Sequence, residues 1–151
     1  TLAAQRQPGV PASNEGARDT LRRWVVERLG EPPADLVLDN GSGLSRQTRL
    51  NAMWLARLLQ QAQGSAVMSE LMSSLPVSGL DGTLRRARAT TGRAHLKTGS
   101  LRDVAGVAGY VLSDTGRRYV LVAIINHANA NQARPALDAL VQWAVRDAPT
   151  R

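Results

Sequence analysis

The chain of 151 residues contains no cysteine and no phenylalanine, and aromatic residues make up only 3% of it. The lack of cysteine excludes disulfide bonds and thiolate metal sites. Its two histidines, His95 and His127, are too few for a zinc site unless several carboxylates join them. We therefore expect the protein to use no metal and no other cofactor.

Long apolar runs are also missing. No stretch approaches the ~20 apolar residues of a membrane-spanning helix, and the longest run, Tyr119 to Ile125, has the length of a strand. We expect no transmembrane segment. The chain starts at Thr1 rather than Met and has no charged-then-apolar signal segment, so we expect an upstream piece of the protein to precede it.

Lysine is nearly absent. Of the 19 basic residues, Lys97 is the only lysine and the other 18 are arginine. Lysine is a compact ammonium whose pKa shifts readily on burial, whereas arginine stays charged. Lys97 is therefore a candidate for chemistry, and an ordinary surface lysine is the alternative.

The net charge of +7 suggests affinity for anions such as nucleic acid, anionic envelope polymers or an acidic partner. The arginines are scattered, however, and the few aromatic residues are not interleaved with them as base-stacking platforms would be. We therefore expect no nucleic-acid binding, and we interpret the cluster Arg85-Arg86-Ala87-Arg88 as a solvated face.

Four segments have helical patterns. The first begins at Ser13-Asn14-Glu15 and ends at Gly30, and the second ends at Gly64. A short helix over residues 66–74 and a last helix over 132–147, with Pro135 in its first turn, complete the set. The residues predicted to face the core are Leu21, Trp24, Val25 and Leu29; Leu50, Met53, Trp54, Leu58 and Leu59; and Leu137, Leu140, Val141 and Ala144.

A short strand is predicted over residues 35–38, and a three-strand meander over 95–100, 104–112 and 118–126, with a hairpin turn at 113–116. The run 119–125 has no polar alternation, which predicts a central strand buried on both faces, with helices on both sides of the sheet. The fold class is α+β, a mainly antiparallel sheet packed between helical layers.

Lys97, Thr98 and Gly99 form a candidate site at the end of the first meander strand. Side chains alternate along a strand, so Lys97 and Thr98 emerge on opposite faces, and Gly99 leaves room for another backbone. Such an edge suits an extended peptide with a carboxylate. The alternative, a glycine-containing strand end with a surface lysine, is favoured by the tripeptide alone because Lys-Thr-Gly is the least specific part of a three-part signature.

The surrounding motifs reverse that preference. In order, they are Leu38-Asp39-Asn40-Gly41-Ser42-Gly43-Leu44-Ser45-Arg46, Leu75-Pro76-Val77-Ser78-Gly79-Leu80-Asp81-Gly82-Thr83-Leu84, Leu96-Lys97-Thr98-Gly99-Ser100-Leu101 and Val107-Ala108-Gly109-Tyr110-Val111. Over residues 14–145 the chain closely resembles class C penicillin-binding proteins, the D-alanyl-D-alanine carboxypeptidase/endopeptidases of the bacterial envelope.

The resemblance implies the penicillin-recognising serine transferase fold, also called β-lactamase-like, with a five-stranded antiparallel sheet between helices. It implies hydrolysis of the terminal D-Ala-D-Ala bond and of peptide cross-links in peptidoglycan, through a serine acyl-enzyme that β-lactams mimic. The expected location is the periplasm or bacterial cell envelope.

The chain departs from this family in two motifs. Ser-x-x-Lys is absent, because Ala94 stands three residues before the only lysine, and no serine has an asparagine two positions later. In the family both elements lie N-terminal to the stretch present here. Residues 1–151 therefore look like the C-terminal portion of a transpeptidase-like domain, and we expect the N-terminal remainder of the same protein to supply the nucleophile, the base and part of the sheet.

The resemblance also implies roles for individual residues. Lys97 supplies positive potential, Thr98 binds the terminal carboxylate of a peptidoglycan stem peptide or β-lactam, and Gly99 gives clearance. Ser100 pairs its backbone with the substrate and donates one oxyanion N–H. Further candidate contacts to the stem peptide are Leu101, Arg102 and Arg46.

Two alternatives remain. Ser42 and Ser45 are interpreted as turn residues rather than nucleophiles, because the sequence places no base beside them. The competing function is a non-catalytic module of the same fold that uses its basic surface to hold anionic cell-wall polymer.

Overall fold

The computed structural model describes residues 13–147. The chain divides into two compact units between Arg57 and Leu58, within a helix. None of the helices in the described part of the chain is long and apolar enough to cross a membrane.

Helix α1 (Asn14–Leu29) opens the first unit. The Ser13 hydroxyl accepts a hydrogen bond from Gly16 N at 3.0 Å, which satisfies one of the free N–H groups of the first turn. Gly30 ends the helix at φ 79°, a conformation that favours glycine, and donates its N–H to the Val26 carbonyl. Both predicted ends are confirmed.

The predicted core-facing stripe of α1 is confirmed only in part. Val25 is buried, but Leu21 and Trp24 are 40% and 39% exposed. The rest of this unit is mainly turns, which offer α1 no sheet to pack against. A helical pattern therefore predicted the helix correctly but not how much of its apolar face is covered.

The strand predicted over residues 35–38 is wrong. Only an isolated antiparallel bridge forms, between Val37 and Arg49, with N···O distances of 2.9 and 3.0 Å. Pairing does not extend because Gly41 and Gly43 adopt positive φ and turn the chain immediately afterwards.

Helix α2 (Ala52–Gln63) confirms the second predicted helix and spans the division between the units. The Asn51 side-chain oxygen accepts from Trp54 N at 2.8 Å and caps its start. Trp54 is buried, but Met53 is 68% exposed, contrary to its predicted position in the core. Adjacent helical residues point about 100° apart, so the two side chains cannot share one narrow face.

The second unit contains helix α3 (Met68–Ser74), a three-stranded sheet and helix α4 (Arg134–Arg146). The strands are β1 (Ala94–Leu101), β2 (Val104–Leu112) and β3 (Arg118–Asn126). Short 3-10 turns lie at Gly82–Leu84, Arg88–Thr90 and Ala130–Ala133.

The sheet is antiparallel in the order β1-β2-β3, so β2 is the middle strand. The prediction that β3 is a central strand buried on both faces is wrong for the residues described, because β3 pairs only with β2 and Leu121 is its one buried residue. An apolar run shows that a strand can be buried, but the strand is buried only where neighbouring strands and helices cover it.

Helices contact both faces of this sheet. On one face, Leu96, Val107 and Leu121 pack with Val141 and Ala144 of α4, as predicted for that helix. On the other, Tyr110 donates its hydroxyl to the Leu59 carbonyl of α2 at 2.7 Å, and burial raises the Tyr110 pKa. His95 Nδ1 lies 3.3 Å from the Met72 carbonyl oxygen of α3. The α+β class with an antiparallel sheet between helices is confirmed.

Candidate functional site

Strand β1 changes character halfway along its length. Ala94 and Leu96 are 0% and 1% exposed, whereas Lys97, Gly99 and Ser100 are exposed. The buried half packs against α4 and fixes the strand in the core. The candidate residues therefore lie on the part of a well-anchored strand that projects beyond the core.

The outer edge of β1, on the side away from β2, is closed only over the buried half. Ser78 N donates to the Ala94 carbonyl at 2.9 Å, and Leu96 N donates to the Pro76 carbonyl at 3.0 Å. Peptide groups two residues apart face the same edge of an antiparallel strand, so those of Thr98 and Ser100 face this edge too. Within residues 58–147 no further backbone group pairs with them, which leaves room for another extended chain.

Lys97 lies at the start of the open half. Its register partner is Ala108, and its side chain is on the Tyr110 face of the sheet. The ammonium Nζ donates to the Thr98 carbonyl oxygen at 2.7 Å, so it occupies an acceptor on the open edge. The single lysine therefore lies where a docking backbone or a carboxylate would meet it.

Thr98 projects to the opposite face, toward α4. Its hydroxyl donates to the Thr83 hydroxyl at 2.7 Å. Both threonines line a cavity of about 390 Å³ between the sheet, the turns at residues 82–90 and α4. The threonine thus connects the open edge with a concave surface of ligand size.

Gly99 differs from Gly109 of the neighbouring strand. A side chain at Gly109 would overlap the His95 carbonyl oxygen and approach Leu96 Cα to 3.0 Å, and Gly109 has φ 149°. A Cβ at Gly99 would meet no atom within 4 Å. The fold requires glycine at 109 but not at 99, so the clearance at Gly99 is space open to a ligand.

Asn131 joins the site, although its sequence context carried no signal for it. Ser100 Oγ donates to Asn131 Oδ1 at 2.5 Å, and Asn131 Nδ2 donates to the Leu101 carbonyl at 3.2 Å. Asn131 lies thirty positions after Leu101, in the 3-10 turn before α4, and only the folding of the meander brings it beside β1. It holds the end of the open strand in place.

The remaining predicted contacts lie further out. Leu101 is partly buried at the end of β1, and Arg102 is exposed in the two-residue loop to β2. Asp103, the other loop residue, has φ 65°, and its carbonyl accepts from His127 N at 2.9 Å. Arg102 is therefore carried on a tight, tethered loop beside the open edge.

Arg46 belongs to the first unit, where its carbonyl accepts from Arg49 Nη1 at 2.7 Å, and its contact with substrate stays a prediction. Ser42 Oγ accepts from Leu44 N, and Ser45 Oγ accepts from Gln47 N, at 3.1 and 3.0 Å. The interpretation of both serines as turn residues is confirmed.

The arrangement offers binding groups rather than a nucleophile and base. The hydroxyls beside the strand, on Thr98 and Ser100, are bonded to Thr83 and Asn131, neither of which is a base. An ammonium, a hydroxyl and an open row of peptide groups can align an extended peptide and hold its carboxylate.

Comparison with known protein sequences finds several similar proteins. A sequence profile of the D-Ala-D-Ala carboxypeptidase 3 (S13) family matches residues 2–147. A D-alanyl-D-alanine carboxypeptidase of Actinomadura sp. (strain R39) is 37% identical over 139 residues, which is 83% of this chain and 25% of that protein. The carboxypeptidase DacB of Mycolicibacterium smegmatis is 33% identical over 87% of this chain and 30% of that protein. The chain thus spans about a quarter to a third of these relatives.

Solved structures share the fold at lower identity. Penicillin binding protein 4 of Haemophilus influenzae, complexed with a β-lactam, superposes with a TM-score of 0.73 and 19% identity over 97% of this chain and 36% of that one. A predatory endopeptidase of Bdellovibrio bacteriovorus gives 0.72 and 16% over 85% and 37%. These similarities confirm the fold implied by the sequence motifs.

Proposed function

The chain belongs to the D-Ala-D-Ala carboxypeptidase 3 (S13) family, and from this premise we propose that it supplies the substrate-gripping strand of a serine-type DD-peptidase. The enzyme hydrolyses the terminal D-Ala-D-Ala bond, or the equivalent bond in cross-links, of peptidoglycan stem peptides. The observation that carries the proposal is the open outer edge of β1 beside Lys97, Thr98 and Gly99.

The substrate backbone docks antiparallel to the open half of β1. Ser100 pairs with it, and its outward N–H is one oxyanion donor, which is typically worth about 3 kcal/mol of the barrier. Lys97 contributes positive potential, and the Thr98 hydroxyl exchanges its hydrogen bond to Thr83 for one to the carboxylate when substrate binds. Leu101, Arg102 and Arg46 contact the rest of the stem peptide.

Residues 1–151 form the C-terminal portion of the transpeptidase-like domain in this proposal. The N-terminal remainder of the protein supplies the serine nucleophile and the general base, and β-lactams acylate that serine. Two facts support this division: neither Ser-x-x-Lys nor Ser-x-Asn occurs in the chain, and the chain spans only about a quarter to a third of its relatives. A substrate of this kind places the enzyme in the periplasm or cell envelope.

The test uses the complete protein, with a fluorescent penicillin and a peptide ending in D-Ala-D-Ala. We expect covalent label on a serine outside residues 1–151 and release of D-alanine. The absence of both, under conditions that label a known penicillin-binding protein, would contradict the proposal. Retained binding to isolated peptidoglycan without label would instead support the non-catalytic cell-wall-binding module.

A further inference from the structure

The end of the open strand is held by a side chain that lies outside the sheet. Ser100 projects to the same face of the sheet as Thr98, because side chains alternate along a strand. On that face, Asn131 Oδ1 accepts from Ser100 Oγ at 2.5 Å, and Asn131 Nδ2 donates to the Leu101 carbonyl at 3.2 Å. One side-chain amide therefore joins two consecutive residues of β1.

The chemistry of the two partners fixes the direction of both hydrogen bonds. A backbone carbonyl can only accept, so the amide nitrogen of Asn131 must face Leu101. The amide oxygen then faces Ser100, whose hydroxyl must donate its only proton to it. The Ser100 hydroxyl is thus committed to Asn131, and the side chain cannot rotate toward a docked substrate without breaking this bond.

Asn131 is itself held by the loop that follows β3. Its neighbour Ala130 is fully buried, and Ala130 N donates to the His127 carbonyl at 2.8 Å. His127 N donates to the Asp103 carbonyl at 2.9 Å, and Asn129 N donates to His127 Nδ1 at 3.0 Å. The loop is therefore tied to the connection between β1 and β2, and a side chain carried on it keeps a fixed position relative to β1.

The group that this contact can position is the peptide N–H of Ser100. It faces the outer edge of β1, where no backbone group of residues 58–147 pairs with it. No neighbouring strand therefore holds this side of the strand end. An oxyanion donor works only when it lies within about 0.5 Å of its productive position. A second support for this end of β1 is thus needed, and the two bonds of Asn131 provide it.

We propose that Asn131 is a positioning residue of the hydrolytic reaction, which aligns the Ser100 N–H with the oxyanion by holding the Ser100 side chain and the Leu101 carbonyl. The inference rests on the proposed function and deepens it, because it names the residue that fixes one oxyanion donor. Negative charge develops on the substrate oxygen only in the transition state. A loss of alignment should therefore lower kcat far more than it changes KM.

The test measures initial rates of D-alanine release by the complete protein from an N-acylated peptide ending in D-Ala-D-Ala. Asn131→Ala should lower kcat about 10-fold and change KM less than about twofold, because the donor is displaced but not removed. The Tm should fall by less than about 4 °C, because the contact is exposed. An unchanged kcat, or a loss confined to KM, would overturn the inference.

Gln132→Ala is the matched control. Gln132 is the next residue of the same 3-10 turn and is also exposed. Among the described residues, the side-chain hydrogen bonds of this turn to β1 are the two of Asn131. Both kcat and KM of Gln132→Ala should stay within about twofold of wild type. A kcat loss as large as that of Asn131→Ala would show that the turn as a whole is responsible, and would overturn the role of Asn131.

A double-mutant cycle tests whether Asn131 acts through β1. Ser100→Ala removes the same hydrogen bond from the other side and should lower kcat about threefold. The double variant Ser100→Ala/Asn131→Ala should be as slow as Asn131→Ala alone, within about twofold, because that bond is already lost. Losses that multiply in the double variant would mean that the two residues act independently, which contradicts the inference.

Hydrogen exchange separates this inference from the proposed function, because it needs no turnover. The N–H groups of Gly99 and Leu101 face β2, so exchange in the segment 99–104 reports whether the strand end is held. Asn131→Ala should speed this exchange at least about threefold, and Gln132→Ala should leave it unchanged. Unchanged exchange in Asn131→Ala overturns the inference, and the proposed function stands if wild type releases D-alanine. A wild type without D-alanine release or penicillin label overturns the proposed function, and this inference with it.

Discussion

The two halves of β1 serve different purposes within one strand. In the first half, Ala94 and Leu96 are buried, and the outer edge is hydrogen-bonded to residues 76–78. From Lys97 onward the edge is open, and Lys97, Gly99 and Ser100 are exposed whereas Thr98 and Leu101 are half-buried. The closed half holds the strand rigidly in the core, and the open half is accessible to a ligand. The binding edge is therefore positioned by the core although it lies outside it.

The glycines near this strand mark the same difference. Gly109, opposite Leu96, is required because the chain itself occupies the space where a side chain would stand. Gly99, opposite Gly106, borders empty space. A substitution at Gly109 should therefore lower stability, whereas a substitution at Gly99 should lower activity.

The largest effect is expected from Gly109→Ala. Its Cβ overlaps the His95 carbonyl, and its φ of 149° is strained for alanine. We expect a loss of about 3 kcal/mol or more in the free energy of unfolding, or no folded protein. Denaturant unfolding of the complete protein measures this, with Gly99→Ala as the control. Similar stability losses in the two variants would contradict the conclusion that the fold requires glycine at 109 but not at 99.

Lys97→Ala should abolish most activity without unfolding the protein. The exposed side chain makes no ion pair in the described residues, so the fold has little to lose. We expect the second-order rate of acylation by fluorescent penicillin to fall roughly 100-fold or more, since charge stabilisation in the cleft is lost. Arg118→Ala, an exposed charge at the start of β3, is the control. An unchanged acylation rate would show that Lys97 is not part of the cleft.

Gly99→Ala should slow acylation with little change in stability, whereas Gly109→Ala should mainly lower stability. Stability should change by less than about 0.5 kcal/mol, because the new Cβ meets no protein atom. Acylation should slow roughly 10-fold, because the methyl group occupies the clearance needed by a docked backbone. Stopped-flow acylation and unfolding of the same preparation measure both quantities. Normal acylation would mean that substrate does not pass over Gly99.

The smallest effect is expected at Asp147, the residue that follows α4 and contacts the hairpin between β2 and β3. Hydrogen bonds from Thr115 and Tyr119, together with the Arg117 guanidinium, lower the pKa of this carboxyl. A depressed folded-state pKa stabilises the fold above the unfolded pKa of about 3.9, and this contribution is lost as pH falls through the folded value.

Asp147→Asn should therefore flatten the acid side of the stability profile. We expect a small loss of stability at pH 7, less further loss than wild type on acidification below about pH 4, and unchanged penicillin acylation at pH 7. Asparagine tolerates the left-handed conformation of this residue, at φ 45°. Asp138→Asn on the same helix is the control for stability. An acid profile identical to that of wild type would mean that Asp147 does not contribute to it.

Local patterns predicted much of this architecture. The bounds of β2 and β3 are those expected from their apolar runs and the intervening turn, and Ser13 and Gly30 end α1 as their capping chemistry predicts. These features depend on neighbours in the sequence, so the sequence was sufficient to find them.

Features that depend on distant contacts were not predictable. The apolar run of β3 predicted burial on both faces, but the second pairing partner is not among the described residues. Arg86 and Arg88 are exposed, as the interpretation of their cluster as a solvated face predicts, but only the packing of α4 brings Arg134 to the same cavity beside Thr98. The contact of Asn131 with Ser100 could not be predicted from the sequence, because it forms only in the folded meander.

The hydrogen bond from Lys97 Nζ to the Thr98 carbonyl has a consequence for association. An unpaired strand edge is a template on which identical chains can assemble. Here the strand's own ammonium caps that template, and any incoming strand must displace it. A ligand able to engage the freed cation compensates for the displaced bond, whereas a neutral backbone does not. The lysine thus covers one acceptor of an edge that would otherwise be fully open to strand pairing.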